Sequence, residues 1–558
     1  MINITILNFK TKFQKKYLAC SHPIYCTGSL LHTIQTSRLY NDSKTFVDKP
    51  TRLPPAIVLE AFNRLPPDPT KEILREFVDE YFFPVGTEMK EEIPTDWKED
   101  PAFLEQIQDS NVREWAKSLN SIWLKLFRRF DHSMSCKDCF SSVLLPHGFV
   151  IPGGRFREIY YWDTYWVVEG LLISEMYETV KGIIENFFYL IKVYGFIPNG
   201  ARIYYSNRSQ PPFLTRIVDA YIQKTNDLDF LVTALPYLDQ EYQFWMTYRT
   251  TQVPSPSGKV YNMNHYSVTN DSPRPESYAE DLHLVEGFDE NKQKYIYAQM
   301  ASGAETGWDY SSRWFEKETL DSIIVSELIP VDLNAIMYDV EAILSKFHIA
   351  LGNTEMGSYY ATQANIRLDA IDKLMWNETE SAWQDWNTKL GRQTEGFYLS
   401  NFFPLWSKSH AKSPETLTKV TQKIQKTFSY KCGLPTSMKE SGEQWDYPNA
   451  WAPIIQIVAA GLENIETVVP EAGELALSLM EQWLSCNHCG WSETGGVNNG
   501  HMFEKYDVNT RGVPGGGGEY EVQMGFGWTN GVVLQFISRH PDRWSLTHCS
   551  HLNALFSF

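Results

Sequence analysis

The 558-residue chain carries a formal charge of −18, with 43% hydrophobic and 21% charged residues; that is apolar material for a large core and excludes disorder. The acidic balance and the lack of any long Lys/Arg run speak against nucleic acid or an anionic membrane surface as a partner. No stretch reaches the roughly 18 to 20 apolar residues of a membrane span, and an uncharged small-molecule substrate fits the charge best.

Residues 1–65 read as a polar leader and extended segment rich in Pro and Lys. The opening "MINITILNFKTKFQKKYLACSHP" places its apolar stretch before its lysines, the reverse of a secretory signal. Sequons at Asn3, Asn41, Asn207, Asn270 and Asn377 lean towards secretion nonetheless. A secreted or extracellular location is expected, with the cytoplasm as the alternative.

From residue 66 the chain becomes a succession of amphipathic segments. Helices are expected near 70–82, 102–130, 167–193, 213–223, 227–249, 333–347, 357–376, 414–428, 450–462, 472–485 and 529–538. In the third, Leu172, Met176, Val180, Ile184, Phe187 and Ile191 recur every three or four positions and build one apolar face, which Gly195 and Pro198 end. Leu333, Ile336, Val340, Leu344 and Phe347 repeat in the same way after Pro330 and a candidate cap, Asp332. About a dozen helices with almost no alternating strand pattern give an all-α assembly of packed helical hairpins. It is expected as one domain over 66–545, followed by a tail, 546–558, too short and mixed for a spanning helix or a lipid anchor.

The eight cysteines are Cys20, Cys26, Cys136, Cys139, Cys432, Cys486, Cys489 and Cys549. The pairs 136/139 and 486/489 have zinc-like spacing but no ligand-rich surroundings, so no metal is expected. Disulfides, such as Cys20 with Cys26, and free buried thiols fit the even count equally well.

The loops hold the chemistry. "PGGRFREIYYWDTYW" from 152, "ARIYYSNRSQPP" from 201, "SPRPESY" from 272, "GAETGWDYSSRW" from 303, "GEQWDYPNAW" from 442 and "FEKYDVNTRGVPGGGGEYEVQMGFGWTNG" from 503 concentrate Trp, Arg, Asp and Glu. Aromatic faces stack, carboxylates accept and guanidinium groups donate, a mixture suited to a sugar ring. Functional groups on loops carried by a rigid scaffold form the usual binding or catalytic face. Breaking a glycosidic bond takes two carboxyl groups, one protonating the leaving oxygen and one acting on the opposite face. Asp309 lies between Trp308 and Tyr310, whose apolar surfaces raise a carboxyl pKa and suit a general acid. Glu504 is followed by Lys505, which favours an ionised base; the glycine run Gly515 to Gly518 reads as a mobile lid. No G-x-S-x-G elbow, H-E-x-x-H helix or G-x-x-x-x-G-K-[ST] loop is present.

Taken together the loops resemble trehalase, the glycoside hydrolase family that cleaves α,α-trehalose into two glucose molecules. "PGGRFREIYYWDTYW" is similar to the first signature of that family, "QWDYPNAWAP" from Gln444 to Pro453 to the second, and "GGGGEY" to a further hallmark. The resemblance runs from "YCTGSLLHTIQ" near residue 25 to about 540. It implies an (α/α)6 toroid of twelve helices with the active site at one mouth, and an inverting mechanism, in which the carboxyls stand roughly 6.5 to 9.5 Å apart to admit water. By matched motif, Asp309 takes the position of the proton donor and Glu504 that of the base. Substrate contacts carried over in the same way are Arg155, Trp162, Asp163, Asn199, Arg208, Ser209, Gln210, Arg274, Pro275, Glu276 and Gly307; Phe156, Trp445, Trp451 and Glu519 are further pocket residues. The implied partner is trehalose, with no metal or cofactor, and the chain is expected as a monomer or weak homodimer. Asn207 lies inside a motif, so its sequon is expected to stay unglycosylated. Thr306 and Tyr310 stand where the family commonly has Ser and Phe. Two alternatives keep the toroid: a trehalose-binding protein without catalysis, and a hydrolase of another α-glucoside.

Overall fold

The computed structural model describes residues 20–131, 133, 136–546 and 549; Asn3, most of the leader's opening and most of the tail lie outside them. Twelve helices make the body: α1 (Ser110–Leu126), α2 (Asp163–Ile173), α3 (Tyr177–Tyr194), α4 (Leu214–Thr225), α5 (Leu228–Tyr248), α6 (Val331–Ala350), α7 (Thr354–Ala370), α8 (Phe403–Ser407), α9 (Pro414–Gln425), α10 (Ala452–Ile465), α11 (Pro470–Glu493) and α12 (Gly527–Arg539). The even-numbered helices pack one on the next around an inner ring, and α12 closes it against α2. The odd-numbered helices lie outside: α1, α3, α5, α7 and α11 pack on inner helices, and α9 packs on α11. This is the (α/α)6 toroid expected from the sequence.

The alternation decides where function can sit. Returns from an inner to the next outer helix are short, as at 174–176, 226–227 and 351–353. Asp227 and Asn353 in two of them cap the helices that follow, accepting from Phe230 N–H at 3.0 Å and Met356 N–H at 3.3 Å. Connections from an outer to the next inner helix are long: 127–162, 195–213, 249–330, 371–402, 426–451 and 494–526. They all emerge at the same end of the ring, and five of the six carry the loops rich in Trp, Arg and acids. Two of these five are tied by a short antiparallel ladder of β1 (Asn449–Trp451) and β2 (Lys505–Asp507), which pairs Trp451 with Lys505.

Three local expectations change. The segment read as one helix over 167–193 is α2 and α3, broken where Glu175 adopts φ 60°. Thr179 opens the second helix, donating its N–H to Asp96 Oδ2 at 2.8 Å; the apolar period runs through because both helices face one core. The five-residue α8 was not expected, being too short to show a period, yet every residue in it is buried. Nor was the helix Glu290–Glu305, because its buried apolar residues, Ile296, Tyr297, Met300, Ala301 and Ala304, are interleaved with buried Gln299, Ser302, Gly303 and Glu305, which blurs the period.

The segment before residue 65, read as extended, carries the short helices Ser29–Thr36, Lys44–Val47 and Pro55–Phe62. They pack through a second apolar cluster onto Tyr160, Tyr204 and Tyr205. Buried ion pairs join the same surfaces: Lys44 reaches Asp48 and Glu158 at 2.5 and 2.7 Å, and Arg202 reaches Glu158 at 3.0 Å. All eight cysteines are in disulfides, Cys20–Cys26, Cys136–Cys139, Cys432–Cys486 and Cys489–Cys549. No described helix is long and apolar enough to cross a membrane.

Candidate active site

The long connections line a pocket at their common end of the ring. Its wall holds Arg155, Phe156, Trp162, Asp163, Asn199, Arg208, Gln210, Arg274, Glu276, Gly307, Asp309, Trp445, Trp451, Glu504 and Glu519. Of the site residues named from the sequence, only Ser209 and Pro275 stand behind that wall. Ser209 spends its hydroxyl on Ile197 O at 2.6 Å and its N–H on Glu305 at 2.8 Å, so it shapes the loop from inside. Pro275 offers its carbonyl to Gln35 Nε2 at 3.1 Å.

Aromatic rings form one side. Trp445 stacks on Trp451 at 4.0 Å with the ring planes 4° apart, Trp308 stacks on Trp445 at 5.1 Å, and Trp162 leans on Trp445 at 5.7 Å. Gly307 has φ 73°, and a Cβ there would come within 2.6 Å of the Trp162 ring, so this close approach requires glycine. Asp309 follows with φ 32°, in a left-handed conformation costly for a residue with a Cβ. The turn is over-determined by its neighbours. Tyr310 donates to Met300 O at 3.0 Å, and Asp446 accepts from Ser311 Oγ at 2.7 Å and Ser312 N at 2.6 Å. The departure at Tyr310 is thus absorbed, since its hydroxyl finds a partner.

Each pocket arginine meets a carboxylate. Arg155 grips Asp42 with two bonds of 2.7 Å, Arg208 pairs with Glu276, and Arg274 pairs with Asp281 and, at 2.8 Å, with Glu519. These opposed charges cancel locally, which suits a ligand rich in hydroxyls and without charge. Arg208 Nε, Glu276 Oε2 and Trp445 Nε1 are buried with no hydrogen-bond partner, two donors and an acceptor available to such a ligand.

The two candidate carboxyls are both raised by burial and differ in their other partners. Asp309 is pushed up to about 7, by burial first, with Glu519 and Glu504 also raising it and Arg274 and Arg208 pulling against them. Asp309 is therefore about half protonated at pH 7 and mostly protonated below it. Burial also raises Glu504, but Lys505, a bond from the Tyr520 hydroxyl, the Gln523 N–H and Arg155 all favour its charged form. The Tyr520 bond is 2.8 Å and the Gln523 bond 3.3 Å. Asp163, at the start of α2, is pushed well above the usual carboxylate range by burial, with Glu504 and Asp309 adding to it.

The glycine run that reads as a lid is seated on the body. Gly516 exchanges bonds with the Asn449 side chain at 3.0 and 2.8 Å, and Gly518 N–H reaches Gly442 O at 3.0 Å. Side chains at Gly515, Gly517 or Gly518 would come within 2.3, 2.4 and 2.8 Å of neighbouring atoms. Close approach accounts for three of the four glycines, and the loop delivers Glu519 and Tyr520 to the pocket.

Sequence reasoning missed several functional positions. Tyr520 and Gln444 stood inside quoted motifs without a role. Trp528, whose Nε1–H donates to Glu504 O at 3.1 Å, was visible only as one more aromatic. Asp42 had no signal, because it lies in the segment read as leader and finds Arg155 only through the fold.

Residues 38–541 match the family model described as Trehalase. The chain is 44% identical over 552 residues to the trehalase of Dictyostelium discoideum, covering 95% of this chain and 92% of that protein. It is 42% identical over 535 residues to the trehalase of Homo sapiens, covering 94% and 90%. Among solved structures, the neutral trehalase of Saccharomyces cerevisiae shares the fold, with a TM-score of 0.57 and 23% identity over 71% of this chain and 75% of that one. The chain belongs to the trehalase family.

Proposed function

We propose that the protein hydrolyses α,α-trehalose to two glucose molecules with inversion at the attacked anomeric carbon, Asp309 acting as general acid and Glu504 as general base. The observation that carries this reading is a pair of carboxyls in one pocket with different partners: burial raises both, Asp309 to about 7 with Glu519 and Glu504 adding to it, while at Glu504 Lys505, Tyr520, Gln523 and Arg155 pull towards the charged form. Ionised Glu504 takes a proton from water, the resulting hydroxyl bonds to the anomeric carbon, the glycosidic C–O bond breaks, and Asp309 gives its proton to the departing oxygen. Both carboxyls are restored through solvent.

Paired Arg208 and Glu276, Arg274 and Glu519, and Arg155 bracket hydroxyls, while the tryptophan stack offers apolar faces to the rings. Uncharged trehalose matches a wall whose arginines are each neutralised.

Proton NMR of the protein mixed with trehalose tests the reading at early times. Equal initial α- and β-glucose is expected, because one half leaves with its α configuration while water attacks the other. Two α anomers would overturn inversion, and no glucose from a folded protein would overturn the activity.

A further inference from the structure

We propose that Gln444 and Lys505 form a relay that fixes which oxygen of Asp309 carries the proton, making both of them positioning residues for proton donation. The inference rests on Asp309 as the general acid. Lys505 Nζ donates to Gln444 Oε1 at 3.0 Å, and Gln444 Nε2 donates to Asp309 Oδ2 at 3.0 Å. An ammonium group can only donate. It therefore holds the amide with its carbonyl towards Lys505 and its NH2 towards Asp309. An NH2 group can also only donate, so Oδ2 must accept, and the proton of neutral Asp309 is left on Oδ1, which makes no hydrogen bond among the described residues.

Without Lys505 nothing would choose between the two faces of the amide. Turned over, Gln444 would present Oε1 to Asp309, accept a hydrogen bond from a proton on Oδ2 and so hold that proton away from the substrate. The surroundings restrict the relay to its working geometry. Trp451 Nε1–H donates to Gln444 O at 2.9 Å, and a Cβ on Gly518 would come within 2.8 Å of the Gln444 side chain, so the glycine loop boxes it in. Lys505 is fully buried, 5.1 Å from the Trp451 ring centroid, and also donates to Gly517 O at 3.4 Å. The β1–β2 ladder sets Lys505 opposite Trp451, so the residue beside the base in sequence acts on the acid in space.

Trehalose leaves as an alkoxide-like oxygen that needs a proton, whereas α-D-glucosyl fluoride leaves as a weak base that needs little protonic help. Lys505→Gln, whose amide can accept as well as donate, and Gln444→Leu are assayed on both substrates. Each is expected to lower kcat on trehalose at least tenfold while kcat on the fluoride stays within about threefold, out of the roughly 10²- to 10⁴-fold that general acid catalysis contributes. The ratio of the two rates is independent of the active fraction, so partial unfolding does not produce the effect, and Gln444→Leu carries the test if Lys505→Gln does not fold. The double variant should lose no more than the worse single one, since both act through one chain of bonds. Equal losses on both substrates, or additive losses in the double variant, would overturn the relay. Asp309→Asn in the same panel separates the two levels. If it loses both substrates equally, the assignment of the acid falls and the relay falls with it; if it spares the fluoride while the relay variants do not change the ratio, the relay alone falls.

Discussion

Asp309→Asn should remove activity and stabilise the protein, with a dependence on pH that only a raised carboxyl produces. Asp309 is pushed from 3.8 to about 7 in the folded state. The sign follows from proton binding: between those values the folded protein holds a proton that the unfolded chain has released, so stability falls as pH rises through the window and stays low above 7. At about 1.4 kcal/mol per pKa unit the shift corresponds to about 4 kcal/mol, and because Asp309 faces an open pocket, solvent screening reduces this to roughly 2 to 4 kcal/mol. Asparagine does not titrate and still accepts from Gln444, so the variant escapes the penalty. For 558 residues, an unfolding entropy of roughly 2.1 cal/mol/K per residue converts this to about 2 to 3 °C in Tm. The assay is thermal unfolding of both proteins at one scan rate from pH 4 to pH 8. The Tm difference should grow up to about pH 7 and then level, while kcat on trehalose falls by roughly 10²- to 10⁴-fold. Parallel Tm curves would refute a carboxyl held neutral near pH 7, and a retained kcat would remove Asp309 from the reaction.

Asp42→Ala should raise KM and lower kcat/KM by about tenfold to a hundredfold, the equivalent of one charged hydrogen-bonded contact of roughly 1.5 to 3 kcal/mol, because Arg155 loses both of its 2.7 Å bonds; unchanged steady-state kinetics would detach the N-terminal segment from the site. Gly517→Ala, whose Cβ would meet Gly442 O at 2.4 Å with φ 79°, should lower stability by roughly 1 to 3 kcal/mol and reduce kcat by displacing Glu519. Gly516→Ala, which would meet nothing within 4 Å, should do neither, and matching Tm and kcat in the two variants would show that the glycines are not there for close approach.

What a sequence discloses about such a site depends on how far apart the interacting residues lie. The apolar stripe of α6 repeats within one helix, so the period disclosed it; the stripe from Leu172 to Ile191 runs from α2 into α3, and the break at Glu175 escaped because both helices bury faces in a common core. The helix Glu290–Glu305 escaped for another reason, its buried apolar residues being interleaved with buried small and polar ones. Trp308, Asp309 and Tyr310 are adjacent, so desolvation of the acid could be argued from three letters. The partners that set the charge of that acid are remote: Glu519 arrives from 210 positions later on the glycine loop, Arg208 comes from another connection, and Arg274 lies 35 positions earlier in the same one. Lys505 beside Glu504 suggested an ionised base, and it does favour the charged form there, yet its ammonium bonds to Gln444 and through it to Asp309. The toroid explains this pattern. Each inner helix brings one long connection to the same mouth, so the groups that must act together are drawn from several separate stretches of chain. Local chemistry names the members of such a site, and only the ring, once closed from α2 to α12, decides which of them meet.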